Sequence, residues 1–321
     1  MVSRTLDALE PTPKGELADT QKRELQTWAC GFYNEIGAAT FGEIWKDPSK
    51  PKWENVKFQL GTCVFKILLT DATNLEVPIM DGSPTMHAVI SPNGAINGAV
   101  RQDHASPVRL LQVDFAVRDD RADIGWVFGT FMYNGHMKDA NPWDRLIPVG
   151  IMWGNDTELT PARAAEGAKP TQSWINRDAN DIRKSLKGSR PSWGWLGRLN
   201  GPADNFRSAC ASCHSVSERD PKEKVQLLPP SGATDAEKMR WFRNIPAGKP
   251  FNKGGVSGDY SLQLMMGYNN FRGWSNPQRG FVYKVKLIVP FSNARYEAEI
   301  IESARQPLRS SPEDRGQDNK N

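Results

Sequence analysis

The residues best suited to chemistry form one pentapeptide, Cys210-Ala211-Ser212-Cys213-His214. Two thiols three positions apart can reach the two vinyl groups on one edge of a porphyrin. The histidine that follows then falls beneath the iron. The pattern therefore predicts one covalently attached haem, held by Cys210 and Cys213 with His214 as an axial metal ligand. Two other chemistries use a CxxC pair. A thioredoxin-like redox pair needs a βαβ setting, and here the preceding residues are a Trp- and Gly-rich loop, Trp193 to Pro202. A zinc site needs a fourth ligand, which only Cys30 or Cys63 could add, since no second CxxC or HxxxH is present.

Methionine, histidine or no residue can take the sixth iron position. Met265 and Met266, about fifty residues beyond His214, have the right chemistry but are equally suited to filling a core. Met239 lies in a charged stretch, and His87, His104 and His136 lie in turn-rich or strand-edge surroundings. The remaining cysteines, Cys30 and Cys63, could pair in an oxidising compartment or stay free, Cys63 as a buried strand thiol.

Such a site needs a frame. The chain has 321 residues, a net charge of +4, 38% hydrophobic residues and 11 tryptophans. It is long enough for one large or two modest domains. No basic block is interleaved with aromatics, so nucleic acid is not an expected partner. No run approaches the roughly 18 apolar residues of a membrane span. Residues 1–20 carry Arg4, Asp7, Glu10, Lys14, Glu16 and Asp19, with none of the apolar run of a signal peptide. Covalent haem nevertheless implies a periplasmic or otherwise extracytoplasmic location.

Residues 58–70, Arg109–Arg118, Trp126–Tyr133 and Leu146–Trp153 read as strands, with a further strand within Val77–Ile90. The clearest is Arg109–Arg118, where Leu111, Val113, Phe115 and Val117 alternate with Gln112, Asp114 and Ala116. Helices are predicted near Asp178–Leu186, around the motif within Asn205–Ser217, and over Thr234–Asn244. The last has acidic residues in its first turn and arginines near its end. Trp28–Trp45 reads as a short helix followed by extended chain. Ser261–Met266 reads as a short apolar element, and Phe281–Val289 as a late strand. The expected fold is α+β: an antiparallel β-sheet core with a helix-and-loop haem segment. Its expected divisions are a mobile segment 1–24, a β-rich domain 25–160, a haem-binding segment 161–302 packed on it, and a disordered tail 303–321.

Four motifs in order extend this reading: Gly61-Thr62-Cys63-Val64-Phe65-Lys66, then Val117-Arg118-Asp119-Asp120, then Gly125-Trp126-Val127-Phe128-Gly129-Thr130-Phe131, then Cys210 to His214. Over residues 28–216 this order resembles the cytochrome P-460 and cytochrome c′-beta family of antiparallel β-sheet haem proteins. The resemblance implies a five-coordinate iron with an open distal side, and a porphyrin crosslink at the position of Lys66. It also implies small nitrogen species or peroxide as ligands or substrates. This chain departs from the family in the eighty or so residues between Phe131 and Cys210 and in the 107 after His214.

Three functions follow as expectations. The first is an electron-transfer cytochrome with a redox partner protein and Met265 or Met266 on the iron. The second is a haem oxidoreductase or small-ligand binder, its pocket lined by Trp126, Phe128 and Phe131. The third is a zinc-stabilised binding module.

Overall fold

A computed structural model describes residues 5–6, 11–90, 104–219, 226–230 and 232–275. The expected strand at Phe281–Val289 and the tail from 303 lie outside the described residues. The fold is α+β, as expected. The strands are β1 (Thr5–Leu6), β2 (Thr27–Tyr33), β3 (Cys63–Thr70), β4 (Thr85–Ile90), β5 (Ser106–Arg118), β6 (Trp126–Tyr133), β7 (Leu146–Met152), β8 (Ser173–Ile175), β9 (Glu218–Arg219) and β10 (Val256–Ser257). The helices are α1 (Glu35–Ile44), α2 (Pro161–Ala165), α3 (Arg177–Ser185), α4 (Cys210–Ser215), α5 (Asp235–Met239) and α6 (Leu262–Ser275).

Seven strands form an antiparallel sheet in the order β2-β3-β5-β6-β7-β8, with β4 on the N-terminal part of β5. β1 adds to the edge of β4 in parallel. The long β5 runs through the centre: β3 pairs along one edge, while β6 and β4 share the other. β9 and β10 form a separate two-stranded pair immediately after α4.

Successive side chains on a strand face opposite ways, and cross-strand register places Gly31, Lys66, Asp114, Thr130 and Gly150 in one row. The face carrying that row is covered by the main core. This core draws Leu68, Phe128 and Met152 from the strands and Trp193, Leu199, Ala211, Phe242 and Tyr260 from the later part of the chain. The opposite face has a smaller core of Trp28, Leu69, Val108, Leu110 and Tyr133. From Gln112 to Val117 the alternation in β5 is present, but its polar side, Gln112 and Asp114, faces the interior, and a register shift puts Leu111 in the main core rather than with Val113. Val113, Phe115 and Val117 lie half-buried on the other face.

Local details differ from expectation for identifiable reasons. Between Trp28 and Trp45 the strand comes first and the helix second, because residues 27–33 pair along β3 and Asn34 caps α1 by accepting from Gly37 N at 3.1 Å. β3 starts only at Cys63: Gly61 has φ +81 and Phe58 N is taken by a distant carboxylate, so 58–62 bends. The segment 11–24 is not loose. Thr12 bridges Leu25, Ala18 bridges Lys187, and Leu17 and Ala18 are buried.

That segment also delivers Glu16 to Arg190 at 2.7 Å, both buried. The Arg190 guanidinium further donates to the carbonyls of Trp193, Gly201, Pro202 and Asp204. Arg198, fully buried, donates to the carbonyls of Asn155, Asp156 and Leu159 and stacks on Trp195 and Phe242. Two arginines thus shape the loop that leads into α4 and tie it to Glu16 and to the turn after β7. Arg190→Met strands Glu16 and four carbonyls, and is expected to lower unfolding free energy in urea by about 3–5 kcal/mol. Glu16→Gln, which can still accept from Arg190, should lose less.

Candidate haem site

α4 is six residues long, too short to be stable alone, and its first turn is closed from outside and within. Cys210 N donates to Leu199 O at 3.1 Å, Ala209 N donates to Ser212 Oγ at 2.8 Å, and Ala211 N points at the sulfur of Met152 at 3.4 Å. The middle residues of the motif, Ala211 and Ser212, are buried; Cys210, Cys213 and His214 are half-buried. All four cysteines are free thiols. Cys30 pairs with Ile67, four residues along β3 from Cys63, about 13 Å of strand. That separation is too great for a disulfide. Both lie on the sheet face away from Cys210, so neither joins the motif. Among the described residues no group of three or more His, Cys, Asp or Glu side chains is placed to hold a metal ion.

The two imidazole nitrogens of His214 have different surroundings. Nδ1 lies 2.8 Å from the carbonyl oxygen of Tyr260. A carbonyl only accepts, so Nδ1 carries the proton and the Nε2 lone pair is left for a metal. Phe128 packs on the ring, with centroids 5.0 Å apart at 39°. Burial, with the Lys66 ammonium as the next cause, lowers the pKa of His214 to about 4, against the opposing bond to Tyr260. The ring is therefore neutral at physiological pH.

Lys66 comes from the sheet. Its Nζ pairs with Asp114 Oδ2 at 2.9 Å. Gln112 Nε2 bridges Asp114 Oδ1 at 2.6 Å and Asp204 Oδ2 at 2.7 Å. Burial disfavours the ammonium, but Asp114 and Asp204 outweigh it and hold Lys66 above its ordinary range. Asp114 is raised by burial and by Asp204, against Lys66. The Cys210 thiol is raised by burial and by the same two carboxylates. Lys66 and Asp114 keep 30% and 19% side-chain exposure, although Leu68, Gln112 and Thr130 on the same face keep none. Solvent thus reaches this face of the sheet at Lys66 and Asp114, to which Asp204 is joined through Gln112.

Of the residues singled out from sequence, the fold gathers Lys66, Phe128, Cys210, Cys213 and His214. It does not gather Phe131, Met265 or Met266. Phe131 is an odd number of positions from Phe128, so it faces the other side of the sheet and packs on Phe115. Trp126 does share the interior face, where its indole donates to Asp259. Met265 packs near Trp53, Val56 and Tyr268, and Met266 is 47% exposed. Both belong to α6, which begins two residues after Tyr260.

Sequence reasoning missed Asp114, Gln112, Asp204 and the Asp259-Tyr260 turn. The first two were visible as the polar half of an alternating strand, and Gly258-Asp259 as a turn signal. Asp259 and Tyr260 have φ of +46° and +65°, a conformation costing non-glycine residues about 1–2 kcal/mol each.

Comparison with family models, with curated proteins and with solved structures finds no match to this chain. The donor set fits a haem in its chemistry: two reduced thiols and a neutral histidine on one short helix, with the histidine's Nδ1 already bonded. Cys210, Cys213 and His214 would hold the group, which would supply a redox-active iron.

Because His214 is depressed when folded, the unfolded chain binds the extra proton between pH 6.5 and 4. Its contribution to stability is complete above about pH 6.5 and is lost as pH falls towards 4, at most about 3 kcal/mol. Urea titrations of the haem-free chain across that range should show a loss for the wild type that is absent in His214→Gln.

Proposed function

We propose that this chain is a c-type cytochrome carrying one haem, bound through Cys210 and Cys213 with His214 as the proximal ligand. The observation that carries this reading is the 2.8 Å bond from His214 Nδ1 to the Tyr260 carbonyl. A neutral histidine that donates Nδ1–H to a carbonyl keeps the Nε2 lone pair, which is what an axial iron ligand needs.

Within that reading, the surroundings favour a haem with an open sixth position over one capped by methionine. Met265 lies near Trp53 and Tyr268 and Met266 is 47% exposed, while the groups beside Cys210 are Lys66, Asp114 and Asp204, which donate and accept protons. Such a site suits a small-ligand binder or oxidoreductase acting on nitric oxide, hydroxylamine or peroxide. The resemblance to the cytochrome P-460 and cytochrome c′-beta family points the same way. Lys66 would orient or protonate a small anionic or polar ligand, or form the crosslink that the resemblance implies. Electron transfer to a partner protein is the second reading, since any haem iron that cycles between ferric and ferrous states serves it. No helix among the described residues is long and apolar enough to cross a membrane.

The test is the optical spectrum of the full chain produced with a haem-attachment system. A Soret band that stays with the polypeptide under denaturing conditions, and is lost in Cys210→Ala and Cys213→Ala together, is expected. Its absence from the wild type overturns the cytochrome reading. A high-spin spectrum shifted by nitric oxide supports the open site. A low-spin spectrum losing a methionine charge-transfer band in Met265→Ala or Met266→Ala would move the assignment to electron transfer. A red-shifted band abolished by Lys66→Ala would establish the crosslink.

A further inference from the structure

The Tyr260 carbonyl reaches His214 because the chain around it is held from several sides. The carboxylate of Asp259 accepts three hydrogen bonds from separate parts of the fold. They come from Phe58 N at 2.6 Å, ahead of β3; from Gly248 N at 2.8 Å, after α5; and from the Trp126 indole at 3.2 Å, on β6. Asp259 N in turn donates to Ser257 Oγ at 2.9 Å. The Tyr260 hydroxyl donates to Ile245 O at 2.5 Å. On the α4 side, Gly258 N donates to Ser217 O at 2.8 Å and Ser217 Oγ donates to Ser261 O at 2.6 Å. The β9–β10 pair sets the register of these contacts, Ser257 lying opposite Glu218. Side chains larger than glycine rarely adopt the conformation found at both 259 and 260, so the turn persists only because its surroundings dictate it.

We propose that Asp259 is a positioning residue: its carboxylate clamp locks the left-handed 259–260 turn, so that the Tyr260 carbonyl accepts the Nδ1 proton of His214 and fixes the tautomer and donor strength of that imidazole. The tautomer part stands on the protein alone; the effect on iron rests on the haem reading above. A carbonyl on Nδ1–H makes the imidazole a stronger donor and favours ferric iron. Asp259 therefore tunes the iron from a position about forty-five residues beyond its ligand.

The test uses the full chain with and without haem. Histidine-selective 15N labelling follows the four imidazoles, with His214→Gln giving the assignment. In the haem-free wild type, His214 is expected as the Nδ1–H tautomer with a slowly exchanging ring proton. Asp259→Asn presents an amide donor where three N–H groups converge. It should speed that exchange at least tenfold and mix the tautomers. Trp126→Phe removes one donor of the three and should shift both in the same direction by less, which decides the matter even if Asp259→Asn fails to fold. Tyr260→Phe keeps the carbonyl and should leave the ring as it is. In the haem-loaded protein Asp259→Asn should move the midpoint potential positive. A lowered melting temperature with unchanged ring nitrogens in both variants, or a wild-type Nε2–H tautomer, overturns the proposal. A locked Nδ1–H tautomer in a chain that takes up no haem supports the clamp and sinks only the cytochrome reading.

Discussion

The bond between His214 Nδ1 and the Tyr260 carbonyl joins residues 46 positions apart, and much of the later chain is arranged around it. Closing a loop of that length costs entropy that one hydrogen bond cannot repay. The closure is therefore distributed over β9 and β10, the Ser217 contacts and the Asp259 carboxylate. A six-residue helix has no rigidity of its own, so the histidine it carries is only as well placed as these ties make it. The same logic explains the buried arginines. Arg190 fixes the glycine-rich loop before α4 by occupying its carbonyls, and Arg198, within that loop, ties it to the carbonyls of residues 155–159, which would otherwise be buried without partners.

The second constraint lies in the sheet. β5 turns its polar side inward, the reverse of the usual pattern for a half-buried strand. Gln112 is fully buried but satisfied: its amide nitrogen joins two carboxylates and its oxygen accepts from Ala203 N at 2.8 Å. Lys66 supplies the counter-charge from the neighbouring strand at the same register position. Burying this many charges is costly unless each is paired and the cluster keeps some water, and the partial exposure of Lys66 and Asp114 provides it. The arrangement weakens packing locally and places proton-carrying groups beside the two thiols.

Much was legible in the sequence because it was local. The five residues of the motif sit within one helical turn and a half, so their spacing alone fixes how they can be used. β6 was read to the residue, and β5 and β7 nearly so, since period-two patterning in Val, Phe, Ile and Leu needs no distant partner to be recognised. The helix expected at Asp178–Leu186 is α3, which starts one residue earlier, where Asn176 accepts from Asp178 N. Lys66 was picked out from a short strand motif, and the fold does bring it next to Cys210 and His214.

What only the tertiary structure decided was long-range. Sequence spacing put Trp126, Phe128 and Phe131 in one group, but a pleated strand separates the third from the others. Met265 and Met266 stood at a plausible distance along the chain, yet α6 sets Met265 near Trp53, Val56 and Tyr268 and leaves Met266 47% exposed. The partners of Lys66 and of His214 come from Asp114, Asp204 and a backbone carbonyl. A carbonyl is common to every residue, so no sequence pattern can mark the one that serves. The sequence therefore carries the reactive groups, and the fold selects, through register and hydrogen-bond closure, which of them meet.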